Sequence, residues 1–471
     1  MNQRNDIGTN PYTGGVAAFV SGLRYEAIPD EVRTRIKLLI LDSLGCALYG
    51  AALPWSRIVV DTLAQVDSST TCSAWGTQTK FSAPHAALAN GTMIQSFELD
   101  DVHRAGVLHV GAVTLPGVLA VAEILPADAR MSGRDFLRAC VAGYEVGPRV
   151  GLCMGPEHIA QGWHSGATVG VYSAAAGAAA ALRLDAEKTV HALGIGGTQS
   201  AGLMAAQFGA MVKRMHAGRA AQSGLYGALL ARNGFTGIVD VFENPYGGFC
   251  STFSRSTDRF DLKQLTDGFG ERFETMNIAL KFYSCVGSNH TTLDAIRNMQ
   301  ARHPFGAQDV ERVVVHGSLV TVEHVGWRYV PQGLTSAQLN LPYCVATLLL
   351  DGDVFVDQFT EDKIADPERM ALAERVTVLE DPAITAQGRG ARHTVRVEVM
   401  LRDGTRLEET VASQRGSEHN FASEAQIIDK MRKLASQRVS SAKVERIVDW
   451  VMHAEDQTDA GDLVRLLAAG D

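Results

Sequence analysis

Apolar residues recur at helical spacing through the first two-thirds of the chain. Val32, Ile36, Leu39, Ile40 and Leu44 mark one such stripe and predict a helix over 31–49, behind Pro29-Asp30. The same reading predicts helices over 84–98, 116–124, 133–153, 165–182, 185–194 and 217–233. Pro116 suits a first helical turn, Asp185 a cap, and Asn233-Gly234 a stop. Beyond about residue 276 the period falls to two. The stretches 310–319, 376–379 and 393–401 alternate and are rich in β-branched residues, which predicts strands. Arg402-Asp403-Gly404-Thr405 predicts a hairpin turn into 406–411. Helices are expected between the strands, over 291–301 and 337–350. Helical spacing then returns over 422–434, 441–453 and 460–469. These last helices have no sheet to cover and are expected to rejoin the first group. The expected fold class is mainly α. A large all-helical bundle domain, 1–276 completed by 416–471, carries an inserted smaller α+β lid domain, 277–415, with a small antiparallel sheet.

Composition narrows the function. Of 471 residues 46% are hydrophobic and 20% charged, the balance of a globular chain. The net charge is −9 and no basic stripe is visible, so nucleic acid is not an expected partner. The apolar run 165–182 is built of Ala and Gly and ends at Arg183, which favours a buried helix over a membrane span. The seven cysteines are scattered, odd in number and without a C-x-x-C pair. With a polar start and no secretory signal, they point to reduced thiols and a cytoplasmic location.

Four clusters carry candidate chemistry. Glu98, Asp100, Asp101, His103 and His109 suit acid–base work or a metal, and equally suit helix caps and ion pairs. His164 follows Gly162-Trp163 at a helix start, as a neutral base or a capping residue. Lys213, Arg214, His216 and Arg219 concentrate positive charge just before a helix, to hold carboxylates or phosphates or simply to face water. Lys281, amid Leu280, Phe282 and Tyr283, with His290 nine residues on, lies at the domain junction. It either snorkels or holds an anion. Gly194-Ile195-Gly196-Gly197 lacks a preceding strand and reads as a helix–helix turn, not a nucleotide site. His303, His393 and His453 have no recognisable context.

Together with Leu41-Asp42-Ser43-Leu44-Gly45, Gly143-Tyr144-Glu145-Val146 and Ser336–Tyr343 (SAQLNLPY), the order of these clusters resembles the MmgE/PrpD family. That family includes 2-methylcitrate dehydratase, cis-aconitate decarboxylase and iminodisuccinate epimerase. The resemblance implies a cofactor-free homodimeric enzyme with its site between the domains and a small polycarboxylate as substrate. His109, His164, Lys213 and Lys281 fall on catalytic positions. Glu98, Asp101, His103, Arg214, His216 and His290 are expected to bind substrate, with no metal. Glu98 stands where the decarboxylases have Asp, and Val102 where they have Thr. The lid tyrosine position corresponds to His324 or Tyr329. Dehydration, decarboxylation and epimerisation remain open. So do a carboxylate-binding protein on the same fold and a metal-dependent hydrolase.

Overall fold

The computed structural model describes residues 10–155, 157–208 and 210–469; the polar start over 1–9 and Gly209 of the basic cluster lie outside it. Helix Asp30–Gly50 is the central rod. From Ile36 onward nearly every residue is buried, Lys37, Asp42 and Ser43 included. A helix covered all round needs neighbours on several sides. Ala83–Ile94 packs on it from within the first part of the chain, and Glu424–Ala435 and Ser441–Met452 from the far end. The C-terminal helices therefore return to the bundle, and Gly461–Leu467 reaches Val110–Ile124.

Gly133–Met154, Gly170–Ala181, Ala186–Gly197 and Val212–Arg232 complete the bundle. Their small residues let the axes approach closely. A methyl group at Gly218 would sit 2.1 Å from the Leu88 carbonyl oxygen, and one at Gly224 2.5 Å from Ala174 Cβ.

Several helices depart from their expected bounds. Ala83–Ile94 ends short of Glu98, which therefore lies in a loop. Pro116 sits inside Val110–Ile124, because Asp101 accepts the Gly111 N–H and starts that helix earlier. The stretch 165–182 is two helices, Ser165–Thr168 and Gly170–Ala181. Gly194–Gly197 form the last turn of a helix, not a connection, and the bare Gly194 lets the Ile238 backbone pack against that turn. The helix expected from Ala217 begins at Val212, so the basic cluster is its first turns and not the loop before it.

The lid carries a four-stranded sheet in the order Val376–Glu380, Val310–Gly317, Val395–Leu401, Arg406–Val411. It is mixed, not antiparallel: Val310–Gly317 and Val376–Glu380 run parallel. A parallel pair needs a long crossover, and the intervening helices supply it. Helix Gly287–Arg302 covers the sheet at Val395–Leu401 and Arg406–Val411. The chain's entry into this part and its exit run side by side, where Leu280 N–H donates to the Gly416 carbonyl (2.7 Å). Buried apolar residues of both parts form one continuous core. Among the described residues no single helix is long and apolar enough to cross a membrane. All seven cysteines are buried and unpaired.

Candidate active site

A two-residue ladder assembles the site. Val102–His103 pairs antiparallel with Ile278–Ala279, which brings the loop after helix Ala83–Ile94 beside the segment that carries Lys281. The loop is held tightly at both ends. Glu98 and Val107 both adopt left-handed backbone conformations (φ 55° and 50°), rare for residues with a Cβ and rarer for a β-branched one.

Glu98 is the hub. Its Oε1 accepts from Lys213 Nζ and from Arg214 Nη1 (2.6 Å), and its Oε2 from Lys281 Nζ (3.2 Å). Burial alone would raise its pKa. Lys213, Lys281 and Arg214 outweigh burial and hold it well below the usual carboxylate range. One carboxylate thus faces three cations, leaving two positive charges uncompensated in a mostly buried site. Burial lowers the pKa of Lys213, and Glu98 works against that shift.

Histidines flank the cations. His164 caps the short helix Ser165–Thr168, and its N–H donates to Gly202 O (3.2 Å). Its Nδ1 lies 3.1 Å from Nδ1 of His216, which is one helical turn beyond Lys213. Burial and then the charge of Lys213 push His164 well below the ordinary imidazole value; the same two causes lower His216. His109 sits at the N-cap of Val110–Ile124, its Nδ1 3.0 Å from Asp100 Oδ2, within electrostatic reach of both Glu98 and His164.

The structure therefore brings together Glu98, His109, His164, Lys213, Arg214, His216 and Lys281. It does not bring Asp101, His103 or His290 to them. Asp101 accepts the Gly111 N–H (3.0 Å) and the Tyr144 hydroxyl (3.1 Å), an anchor for the helix behind His109. His103 Nε2 pairs with Glu274 (3.1 Å) and its Nδ1 accepts the Gly106 N–H (2.9 Å), so both nitrogens hold the loop. His290 Nε2 donates to the Cys285 carbonyl (3.2 Å) while its ring packs edge-on against Tyr283. Arg219 bonds Gln222, three residues along its own helix.

For the lid position, His324 is the residue whose pKa feels Lys213 and Glu98, and its Nδ1 meets Ser288 Oγ (3.3 Å). Tyr329 instead donates to the Ile364 carbonyl (2.8 Å). Sequence reasoning missed Gln338. Its amide donates to Phe97 O (3.2 Å) and Ser284 O (3.1 Å), and its Oε1 accepts from Arg214 Nη2 (3.4 Å). It lies within the SAQLNLPY stretch, yet nothing local marks an uncharged glutamine as a bridge.

A mainly helical body, an inserted α+β lid and a cationic, histidine-flanked site between them define the class. The chain belongs to the MmgE/PrpD family. Residues 15–261 match the MmgE/PrpD N-terminal domain and 283–454 the MmgE/PrpD C-terminal domain. The chain is 35% identical to the cis-aconitate decarboxylase-like protein oryM of Aspergillus oryzae, over 97% of each chain. It is 34% identical to a cis-aconitate decarboxylase of Aspergillus terreus, over 97% of this chain and 95% of that one. It is 24% identical to a 2-methylcitrate dehydratase of Escherichia coli, over 79% of each. A decarboxylase and a dehydratase are both lyases, and the chain is a lyase of the MmgE/PrpD family.

Proposed function

We propose that this enzyme is a lyase that removes CO₂ from a tricarboxylate of the cis-aconitate type. The observation that carries the reading is the convergence of Lys213, Arg214 and Lys281 on the single carboxylate of Glu98. Glu98 neutralises one cation, and the rest match a substrate with two or more carboxylates. The near full-length likeness to decarboxylases, against a weaker and shorter one to a dehydratase, favours loss of CO₂ over loss of water.

The chemistry follows from where charge develops. One carboxylate leaves as CO₂, and its bonding electron pair passes into the adjoining unsaturated carboxylate. Lys213 and Lys281 hold that carboxylate and stabilise the growing charge, which counts for more where water is excluded. Protonation at carbon ends the step, with His109 and His164 as the nearby acids. No organic cofactor enters this scheme. The reading keeps a homodimer and a cytoplasmic site of action as expectations, checked by light scattering and by localisation of a tagged chain.

The test is a substrate panel of cis-aconitate, citrate, methylcitrate and aminated dicarboxylates, with products identified by NMR. Release of CO₂ from cis-aconitate supports the proposal. Water loss from methylcitrate, or inversion of an aminated dicarboxylate, would replace it. Lys213→Ala is expected to lower turnover about 100-fold or more without loss of fold. Near-normal turnover would remove Lys213 from the chemistry.

A further inference from the structure

A decarboxylation that ends in protonation at carbon consumes one proton per turnover, so this inference rests on the function proposed above. The demand is awkward here. His164 and His216 are 9% and 7% exposed. A neutral imidazole that gives up its only N–H becomes an imidazolate, which is far too basic to persist. His164 can act as an acid from its neutral form only if its other nitrogen gains a proton in the same event.

The geometry supplies a partner for that nitrogen. The two Nδ1 atoms are 3.1 Å apart, with ring centroids at 4.9 Å. Two neutral imidazoles in that contact share one proton: one ring carries its hydrogen on Nδ1 and the other on Nε2. Among the described residues His216 is the sole hydrogen-bond partner of His164 Nδ1, and neither Nε2 bonds a protein group. Glu98, His109 and Lys213 all act on His164, whereas only Lys213 acts on His216. We take His164 as the ring on the substrate side and His216 as the ring behind it.

We propose that His216 is a positioning residue that selects the tautomer of His164 and reloads it with a proton. Before reaction His216 carries its hydrogen on Nδ1, and His164 carries its own on Nε2. The Nε2–H of His164 passes to the substrate carbon. The Nδ1–H of His216 passes to His164 Nδ1, and a solvent proton binds His216 Nε2. Each ring breaks one N–H bond and forms one, and both end neutral in exchanged tautomers. After product leaves, solvent protonates His164 Nε2 and the same hops run backward, releasing a proton from His216 Nε2.

The first arm of the test needs no substrate. In protein labelled with ¹⁵N-histidine, long-range proton–nitrogen spectra at neutral pH are expected to show one Nδ1–H and one Nε2–H tautomer for the pair. His216→Phe should shift the His164 signals while those of His103 and His290 stay put. Two matching tautomers, or two imidazolium rings, would overturn the proposal. The second arm is kinetic. His216→Asn keeps a hydrogen-bonding amide near the Nδ1 position but cannot pass a proton through a ring. It is expected to lower kcat about 100-fold, the scale of general acid catalysis, with KM little changed and a larger solvent deuterium isotope effect. Added imidazole should restore part of the turnover of His216→Ala. Normal kcat in His216→Asn sinks the relay. A wild type inert toward every tricarboxylate sinks the function instead, while the spectra still decide the pairing.

Discussion

At the scale of single residues, the site is built around one carboxylate that serves three masters. Removing its charge leaves the partly buried Lys213 and the buried Arg214 and Lys281 facing one another. Breaking a buried ion pair from one side costs about 3–5 kcal/mol. Glu98→Gln is therefore expected to lower the melting temperature at neutral pH, and millimolar tricarboxylate should recover part of the loss by supplying negative charge to the three cations. The sign with pH follows from the depressed folded pKa of Glu98. Its contribution is complete above the unfolded value of a glutamate and is lost as pH falls through the folded one. Asp101 is the opposite case. Burial, with Asp100 beside it, pushes its pKa up to about 8, so it is largely protonated at neutral pH. Its contribution is present below the unfolded value and lost as pH rises toward 8. Asp101→Asn mimics the neutral acid. It should melt closest to wild type in mildly acidic buffer and rise progressively above it as pH increases to 8, as calorimetry at pH 5 and pH 8 would show. The residue types of the site were legible in the sequence, because lysines and histidines in apolar surroundings stand out. Their division of labour was not. Asp101 and His103 sit in the same charged run as Glu98, and only the turn of the loop aims one inward and the others at the scaffold.

Elements set the precision of that aim. Lys213, Arg214 and His216 occupy the first turns of Val212–Arg232, and Gly218 just beyond them is where this helix crosses Ala83–Ile94. The facing positions are also small, since a methyl at Gly91 would lie 2.7 Å from Gly218 Cα. Gly218→Ala is expected to push the helices apart at a destabilisation of about 1–3 kcal/mol. It should also raise KM or lower kcat, since the displaced helix carries three groups of the site. Urea unfolding with steady-state kinetics on the same preparation checks both. A swap elsewhere that cost equal stability without touching kinetics would isolate the crossing as the cause. Helical periodicity was readable from the chain, but helix starts were less so. Lys213-Arg214 read as a polar turn because charged residues carry no apolar stripe, and only packing shows that the turn is already helix.

The whole molecule is tied together through its buried charges. Lys430, on a helix near the C-terminus, donates to Asp42 of the central helix (2.5 Å) and to the Leu99 carbonyl (2.7 Å), one residue from Glu98. The far end of the chain thereby anchors the loop that carries Glu98. Lys430→Met should destabilise by about 3–5 kcal/mol, because Asp42 is left buried and unpaired. Adding Asp42→Asn should restore part of that stability but not the loop's anchor. Thermal melts of the single and double variants beside wild type, with turnover measured on each, separate the two effects.

The mainly helical body with its α+β lid and the identities of the charged candidates were determined by the sequence alone, because periodicity and burial propensity are local properties. Which candidates meet was decided only by tertiary structure. Glu98 and Lys281 are 183 positions apart, and His164 and His216 are separated by 52. Such contacts depend on helix crossings and a two-residue ladder, neither of which leaves a local trace in the chain.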